Sequence, residues 1–266
     1  MVQLATHEWP PGGDAAAGGS VPLAVLVHGV TGWWRTWWRV GPTLADAGWQ
    51  VVAVDQRGHG HSPRLKAVVT VRDLAADLAS MIEELGRPVD LLIGHSLGGA
   101  VAAELAIARP DLVRRLVLED PPAISRVVDE PWLARQEAEI AAARTDPDGE
   151  ARRTLARNPS WLEDDARQDV EGKALADGAG IVASFRAGIG TRVLELLPRL
   201  TLPALLLLAD EARSVFPPDA RRQLAGRLPP AVEQVTFDAG HTVHRDRFND
   251  YLATILDWAG APPARR

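Results

Sequence analysis

A chain of 266 residues with 46% hydrophobic and 24% charged side chains is long enough for one large domain with a full core. Its formal net charge of −6 argues against nucleic acid or an anionic membrane as the main partner. Cysteine is absent, which excludes a disulfide framework and a thiolate metal site.

The start, MVQLATHEWPPGG, has no basic region followed by an apolar run. No apolar stretch approaches the roughly 18 residues of a membrane span. The expectation is a soluble, cytoplasmic protein that takes a small molecule. Residues 10–20, rich in Gly and Ala, read as a hairpin turn or loose loop. Leucine-rich and β-branched runs at 23–27, 51–54, 89–93, 116–118, 204–208 and 232–237 predict strands buried on both faces. Helical patterns lie between them at about 38–47, 71–85, 97–108, 219–227 and 243–258. Strand–helix alternation of this kind implies an α/β fold with a mostly parallel, doubly wound sheet. Its functional loops belong at the carboxyl ends of the strands. Residues 121–200 break the pattern. They are polar, alanine-rich and strandless, with breaks at Pro131, Pro147, Pro159 and Gly188–Gly190. They read as a helical insertion over the sheet edge, leaving a core of 1–120 and 201–266. Residues 261–266 read as a frayed tail.

Three loops carry the chemistry. Gly94-His95-Ser96-Leu97-Gly98 follows a predicted strand and opens a predicted helix, the context of a nucleophile elbow. Ser96 occupies a tight turn there, and Gly94 and Gly98 leave room where Cβ atoms would clash. His28-Gly29 ends the first buried strand. The next amide, that of Val30, is placed to donate toward Ser96, with the Leu97 amide as second donor. Such a pair stabilises the oxyanion of a tetrahedral intermediate. Gly240-His241 follows the last predicted strand. His241 comes after Ser96 in the chain, and imidazole titrates near neutrality, so it suits the general base. His244 is the competitor, without the preceding glycine. His28 and His95 read as packing residues. No spaced His/carboxylate set calls for a metal, and no cofactor is implied.

The sequences VLVHGVTG (25–32), DQRGHGHS (55–62), IGHSLGG (93–99), LVLEDPP (116–122) and DAGHTVH (238–244) together resemble the α/β-hydrolase superfamily. The resemblance spans nearly the whole chain. It implies that Asp55 and Arg57 buttress the elbow and that the helical insertion is a cap. The third member of a Ser-His-acid triad is less plain. The loop where most relatives carry the acid reads Leu208-Ala209-Asp210-Glu211-Ala212-Arg213, with Ala212 or Arg213 at the expected place. Asp210 lies slightly earlier in it. Alternatively the acid comes from Glu119-Asp120, an arrangement that resembles one branch of haloalkane dehalogenases and the fungal zearalenone lactonases. Asp120 is placed first, then Asp210, then Glu119.

Nine tryptophans stand against one tyrosine. Trp33 and Trp34 follow the oxyanion loop, and Trp132, Trp161 and Phe185 lie in the insertion. All five are candidate pocket walls for an apolar ester or lactone, with ordinary core packing the alternative for each ring. The reading is a serine hydrolase that forms an acyl-enzyme on Ser96. A carbon–carbon bond hydrolase, a perhydrolase, an amidase and a non-enzymatic ligand receptor are its rivals. A homo-oligomer is compatible with all of them.

Overall fold

A computed structural model describes residues 2–12, 21–123 and 129–260. The predicted turn at 10–20 and the tail at 261–266 therefore lie largely or wholly outside the described residues.

The centre is a seven-stranded sheet in the order β1-β3-β2-β4-β5-β6-β7. Its strands are β1 (Thr6–Trp9), β2 (Leu23–Val27), β3 (Gln50–Val54), β4 (Leu91–His95), β5 (Leu116–Glu119), β6 (Ala204–Leu208) and β7 (Val232–Thr236). Only β1 runs antiparallel, against β3; the other neighbours are parallel. Strands β2, β4, β5 and β6 are buried at every residue. That is why each reads as a continuous apolar run rather than an alternating one. Three expectations shift. β7 is buried only at Val232 and otherwise exposed or half-buried, because it is the edge strand of the sheet. β1 escaped the sequence reading because Thr-His-Glu-Trp alternates exposed and half-buried positions at the sheet edge. β4 runs two residues later than predicted, because Val89 makes only an isolated bridge to Val113.

The pleat sends alternate side chains to two cores. Val25, Val27 and Leu92 face one layer, which contains α2 (Val71–Glu84) and α3 (Leu97–Ala108). Leu26, Leu91 and Ile93 face the other, which holds Trp37, Trp49, Tyr251, α1 (Val40–Asp46) and α11 (Phe248–Ala259). α3 is buried at ten of its twelve positions, so it needs no polar face. Truncating a fully buried strand residue such as Ile93 to alanine costs about 2–5 kcal/mol.

Five helices fill the described part of the chain between β5 and β6. They are α4 (Glu130–Thr145), α5 (Pro147–Arg157), α6 (Glu163–Leu175), α7 (Gly178–Arg186) and α8 (Val193–Leu196). Side chains of Asp129, Asp146 and Asp177 accept from Trp132, Gly149 and Gly180 amides and start α4, α5 and α7. Pro131 and Pro147 fall in first turns, where proline is tolerated. The segment is tied to the sheet-end loops by indole hydrogen bonds. Trp33 donates to the Gln168 carbonyl at 3.1 Å, and Trp38 to Asp165 at 2.9 Å. After β6 come α9 (Pro218–Leu224), β7, α10 (Val243–Asp246) and α11. Among the described residues no helix is long and apolar enough to cross a membrane.

Candidate active site

Ser96 sits between β4 and α3 with φ 52° and ψ −121°. Only two other described non-glycine residues have positive φ, Thr31 at 59° and Asp120 at 39°. All three lie just past the carboxyl ends of the adjacent strands β2, β4 and β5. Backbone strain of about 1–3 kcal/mol per residue is thus concentrated on one edge of the sheet. The glycines explain how the turn fits. A Cβ on Gly98 would run into the Val27 carbonyl oxygen, and one on Gly94 into that of Gly98. A Cβ on Gly29 would lie 3.0 Å from Ser96 Cβ, so the loop after β2 comes against the serine through bare backbone. Ser96 is further fixed by its amide, which donates to the Glu119 carbonyl at 2.9 Å.

His241 arrives from the loop after β7. Its Nδ1–H donates to Asp120 Oδ2 at 2.7 Å, which leaves Nε2 as the bare, basic nitrogen. Asp120 is fully buried. Its Oδ2 also accepts from the Val215 amide at 3.0 Å, and its Oδ1 from the Ala209 amide at 3.2 Å and the Ser214 hydroxyl. Each carboxylate oxygen therefore takes two donors. Asp210 is elsewhere. It is half-exposed, and its Oδ1 accepts from the Ala212 amide at 3.0 Å. Glu119 makes a separate pair, accepting from His244 Nδ1 and from the His244 amide at 2.9 Å. Burial pushes the Glu119 carboxyl up, but His244 and His95 beside it outweigh that and hold it below the usual range. Adjacent acids thus serve two different histidines.

Three more histidines, His95, His28 and His59, support the loops. His95 Nε2–H donates to the His241 carbonyl at 3.1 Å, and burial holds its pKa well below the usual value. His28 is lowered to about 4 by burial. Its Nδ1–H donates to the Gly29 carbonyl at 2.7 Å, and its Nε2 accepts from the Gln56 amide at 3.1 Å. His59 is lowered to about 3, by burial and by the nearby His28. Asp55 accepts from the Trp34 and His61 amides at 2.6 and 2.9 Å. Arg57 forms a two-point bond with Asp77 at 2.6 Å on each arm. These two residues lock the loops after β2 and β3 and the flank of α2, and neither makes a hydrogen bond to the elbow among the described residues.

Ser96 and His241 line one cavity of about 120 Å³. Val30 lines it too, together with Gly29, Gly32 and Thr36. Leu97 opens α3 behind the serine. Among the described residues, the Val30 and Leu97 amides donate to no protein group. The rest of the wall is His95, Thr242, Arg245 and Asp169.

None of the five predicted pocket aromatics lines this cavity. Each ring is committed elsewhere. Trp33 is 2% exposed and packs on α6, where a Cβ on Gly172 would come within 3.0 Å of its Cδ1. Trp34 stacks on His7 of β1 at 3.7 Å between centroids. Trp132 packs on Phe185 at 5.0 Å. Trp161 donates to Asp246 at 2.9 Å and lies behind the Arg245 guanidinium, 4.3 Å from its ring centroid. The apolar pocket expected from these rings gives way to a wall in which every side chain except that of Val30 and the glycines is polar. Thr36, Asp169, Thr242 and Arg245 were missed. Arg245 was within reach of sequence reasoning, four residues after His241. Asp169 was not, because only the seating of α6 brings it there.

The sequence profile of the alpha/beta hydrolase fold matches residues 22–248. The chain belongs to the α/β-hydrolase family. This hydrolase is 28% identical over 264 residues to the sn-1-specific diacylglycerol lipase ABHD11 of Mus musculus, covering 92% of this chain and 82% of that one. To Lipase LipV of Mycobacterium tuberculosis (strain ATCC 25618 / H37Rv) it is 32% identical over 259 residues, 91% of this chain and 95% of the other. Among solved structures, E-2-(acetamidomethylene)succinate hydrolase superposes on the hydrolase with a TM-score of 0.76 at 26% identity. That superposition covers 97% of this chain and 95% of the other.

Proposed function

We propose that this hydrolase cleaves a small carboxylic ester or lactone through an acyl-enzyme on Ser96, with His241 as base and Asp120 as its orienting acid. The observation that carries the reading is the 2.7 Å bond from His241 Nδ1 to Asp120, in a cavity that Ser96 and His241 both line. With Nδ1–H engaged, Nε2 takes the Ser96 proton as the hydroxyl attacks the substrate carbonyl. The Val30 and Leu97 amides receive the oxyanion, and loss of one such donor costs about 3–4 kcal/mol of barrier lowering. His241 then protonates the leaving alcohol, and water, activated by the same nitrogen, releases the acid. The helices between β5 and β6 act as a cap, excluding water from one side through α6.

Two lipases among the relatives support ester chemistry, and the succinate hydrolase supports a small polar substrate. The charged and hydroxyl side chains on the cavity wall, Arg245, Asp169, Thr36 and Thr242, point the same way. The test is hydrolysis of p-nitrophenyl acetate together with labelling by a fluorophosphonate. Wild type is expected to turn over and to label. Ser96→Ala is expected to lose at least about 10⁴-fold in kcat and all labelling. An unlabelled, inactive wild type favours a receptor role and overturns the proposal.

A further inference from the structure

We infer that Arg245 is the anion-binding, specificity-determining residue of this cavity, taking a carboxylate carried by the substrate close to its scissile carbonyl. The inference rests on the reading of Ser96 as nucleophile for the reaction, though not for the binding. Arg245 lines the same cavity as Ser96 and His241, yet its side chain is only 4% exposed. Its buried Nε has no hydrogen-bond partner. Among the described residues, no N–H of the guanidinium makes a hydrogen bond to protein. Arginine buried in this way normally meets a carboxylate in two-point geometry.

The two acids nearby do not fill that role. Asp165 stands 4.0 Å from Nε, and its oxygens already accept from the Trp38 indole and the Leu162 amide. Asp169 approaches Nη1 only to 3.5 Å, while Lys173 holds its Oδ2 at 2.8 Å. The two acids pair with the charge of Arg245 at 4.0 and 3.5 Å without taking a hydrogen bond from it among the described residues. Trp161 covers one face of the guanidinium, and the cavity that Arg245 lines is the outlet we assign to its donors. Thr36 and Thr242 lie on the same wall. The space of about 120 Å³ has room for a short acid beside the reacting carbonyl.

Two measurements test this. The first compares kcat/KM for monoethyl succinate and for ethyl 4-methylpentanoate, a neutral ester with the same number of heavy atoms. Wild type is expected to prefer the succinate ester, and Arg245→Met to reduce that preference about 10- to 100-fold, as loss of a charge-assisted hydrogen bond predicts. Arg245→Lys is expected to restore part of it. The second needs no turnover: calorimetric binding of succinate to Ser96→Ala, and to Ser96→Ala carrying Arg245→Met. Succinate is expected to bind the first at least about 10-fold more tightly. Asp169→Asn, which removes the competing acid, is expected to tighten succinate binding, an effect that general structural damage does not produce. If Ser96→Ala binds no succinate, or Arg245→Met lowers both esters equally, the inference is wrong. If succinate binds through Arg245 while neither ester is cleaved, the hydrolytic reading fails and this one stands.

Discussion

Replacing Asp120 with asparagine changes one oxygen for an amide nitrogen with almost no change of volume. Four donors converge on the carboxylate, two on each oxygen. An asparagine cannot satisfy them all. If its nitrogen replaces Oδ1, it faces the Ala209 amide and the Ser214 hydroxyl, and Ser214 alone is able to reverse its proton. If it replaces Oδ2, it faces the Val215 N–H, a donor-to-donor contact. His241 Nδ1 must then accept, which moves the ring proton to Nε2 and leaves no base for Ser96. The second orientation is the catalytically fatal one, because a wrong tautomer in a triad costs about 10⁴-fold in kcat. That equals about 5 kcal/mol at roughly 1.36 kcal/mol per decade. Folding stability should fall by about 1–3 kcal/mol, the cost of an unmet buried donor. The assay is burst and steady-state kinetics of an activated ester for Asp120→Asn beside Asp210→Asn and Glu119→Gln, with urea unfolding of each. Asp210→Asn should stay within about 3-fold of wild type, since its side chain reaches only its own loop. The argument is refuted if Asp120→Asn keeps more than a tenth of wild-type kcat, or if Asp210→Asn loses as much.

Gly98→Ala drives a methyl into the Val27 carbonyl and should destabilise by about 3 kcal/mol, or abolish soluble expression; a urea midpoint within experimental error of wild type contradicts the packing described. His28 is held at about 4, against 6.5 for the free group, so the unfolded chain binds a proton that the folded chain refuses between those pH values. Stability should therefore decline as pH falls from 6.5 to 4, with about 3 kcal/mol from this one group. His28→Gln should flatten that limb of a pH series of urea midpoints, and an unchanged slope counts against burial as the cause. Trp33→Phe removes the indole donation to Gln168 and leaves a void at a 2% exposed site, which together should cost about 2–4 kcal/mol with KM nearly constant; a large rise in KM would return Trp33 to the substrate pocket.

What could be read in advance follows from how local each constraint is. The inner strands of the sheet are visible because burial on both faces demands apolar residues at nearly every position, as in β6, where Ala204–Leu208 is buried throughout. β1 is not visible, since a polar edge strand has no such demand and is held by pairing with β3. The elbow is legible because only glycine fits where backbone meets backbone at positions 94 and 98. Asp120, which meets His241, was put forward by a family resemblance, and the same two residues offered Glu119. The choice between them depends on how His241 and His244 are presented by the last loop, which is a tertiary matter. The tryptophans misled for the same reason. Indole rings serve a core and a pocket equally well, and Trp33 was claimed by α6, whose position no local signal encodes. Asp169 becomes a neighbour of Ser96 only once α6 is seated, whereas Arg245 follows His241 in the chain by four residues.

The central claim is that Ser96 carries a covalent acyl group during turnover. Rapid quenching of the reaction with p-nitrophenyl acetate in acid, followed by mass spectrometry of the proteolysed chain, tests it directly. An acetyl group on the peptide that contains Ser96, accumulating in wild type and absent from Ser96→Ala, is the predicted result. Steady turnover with no modified peptide, or an acetyl group on another residue at the same rate in both proteins, would contradict it.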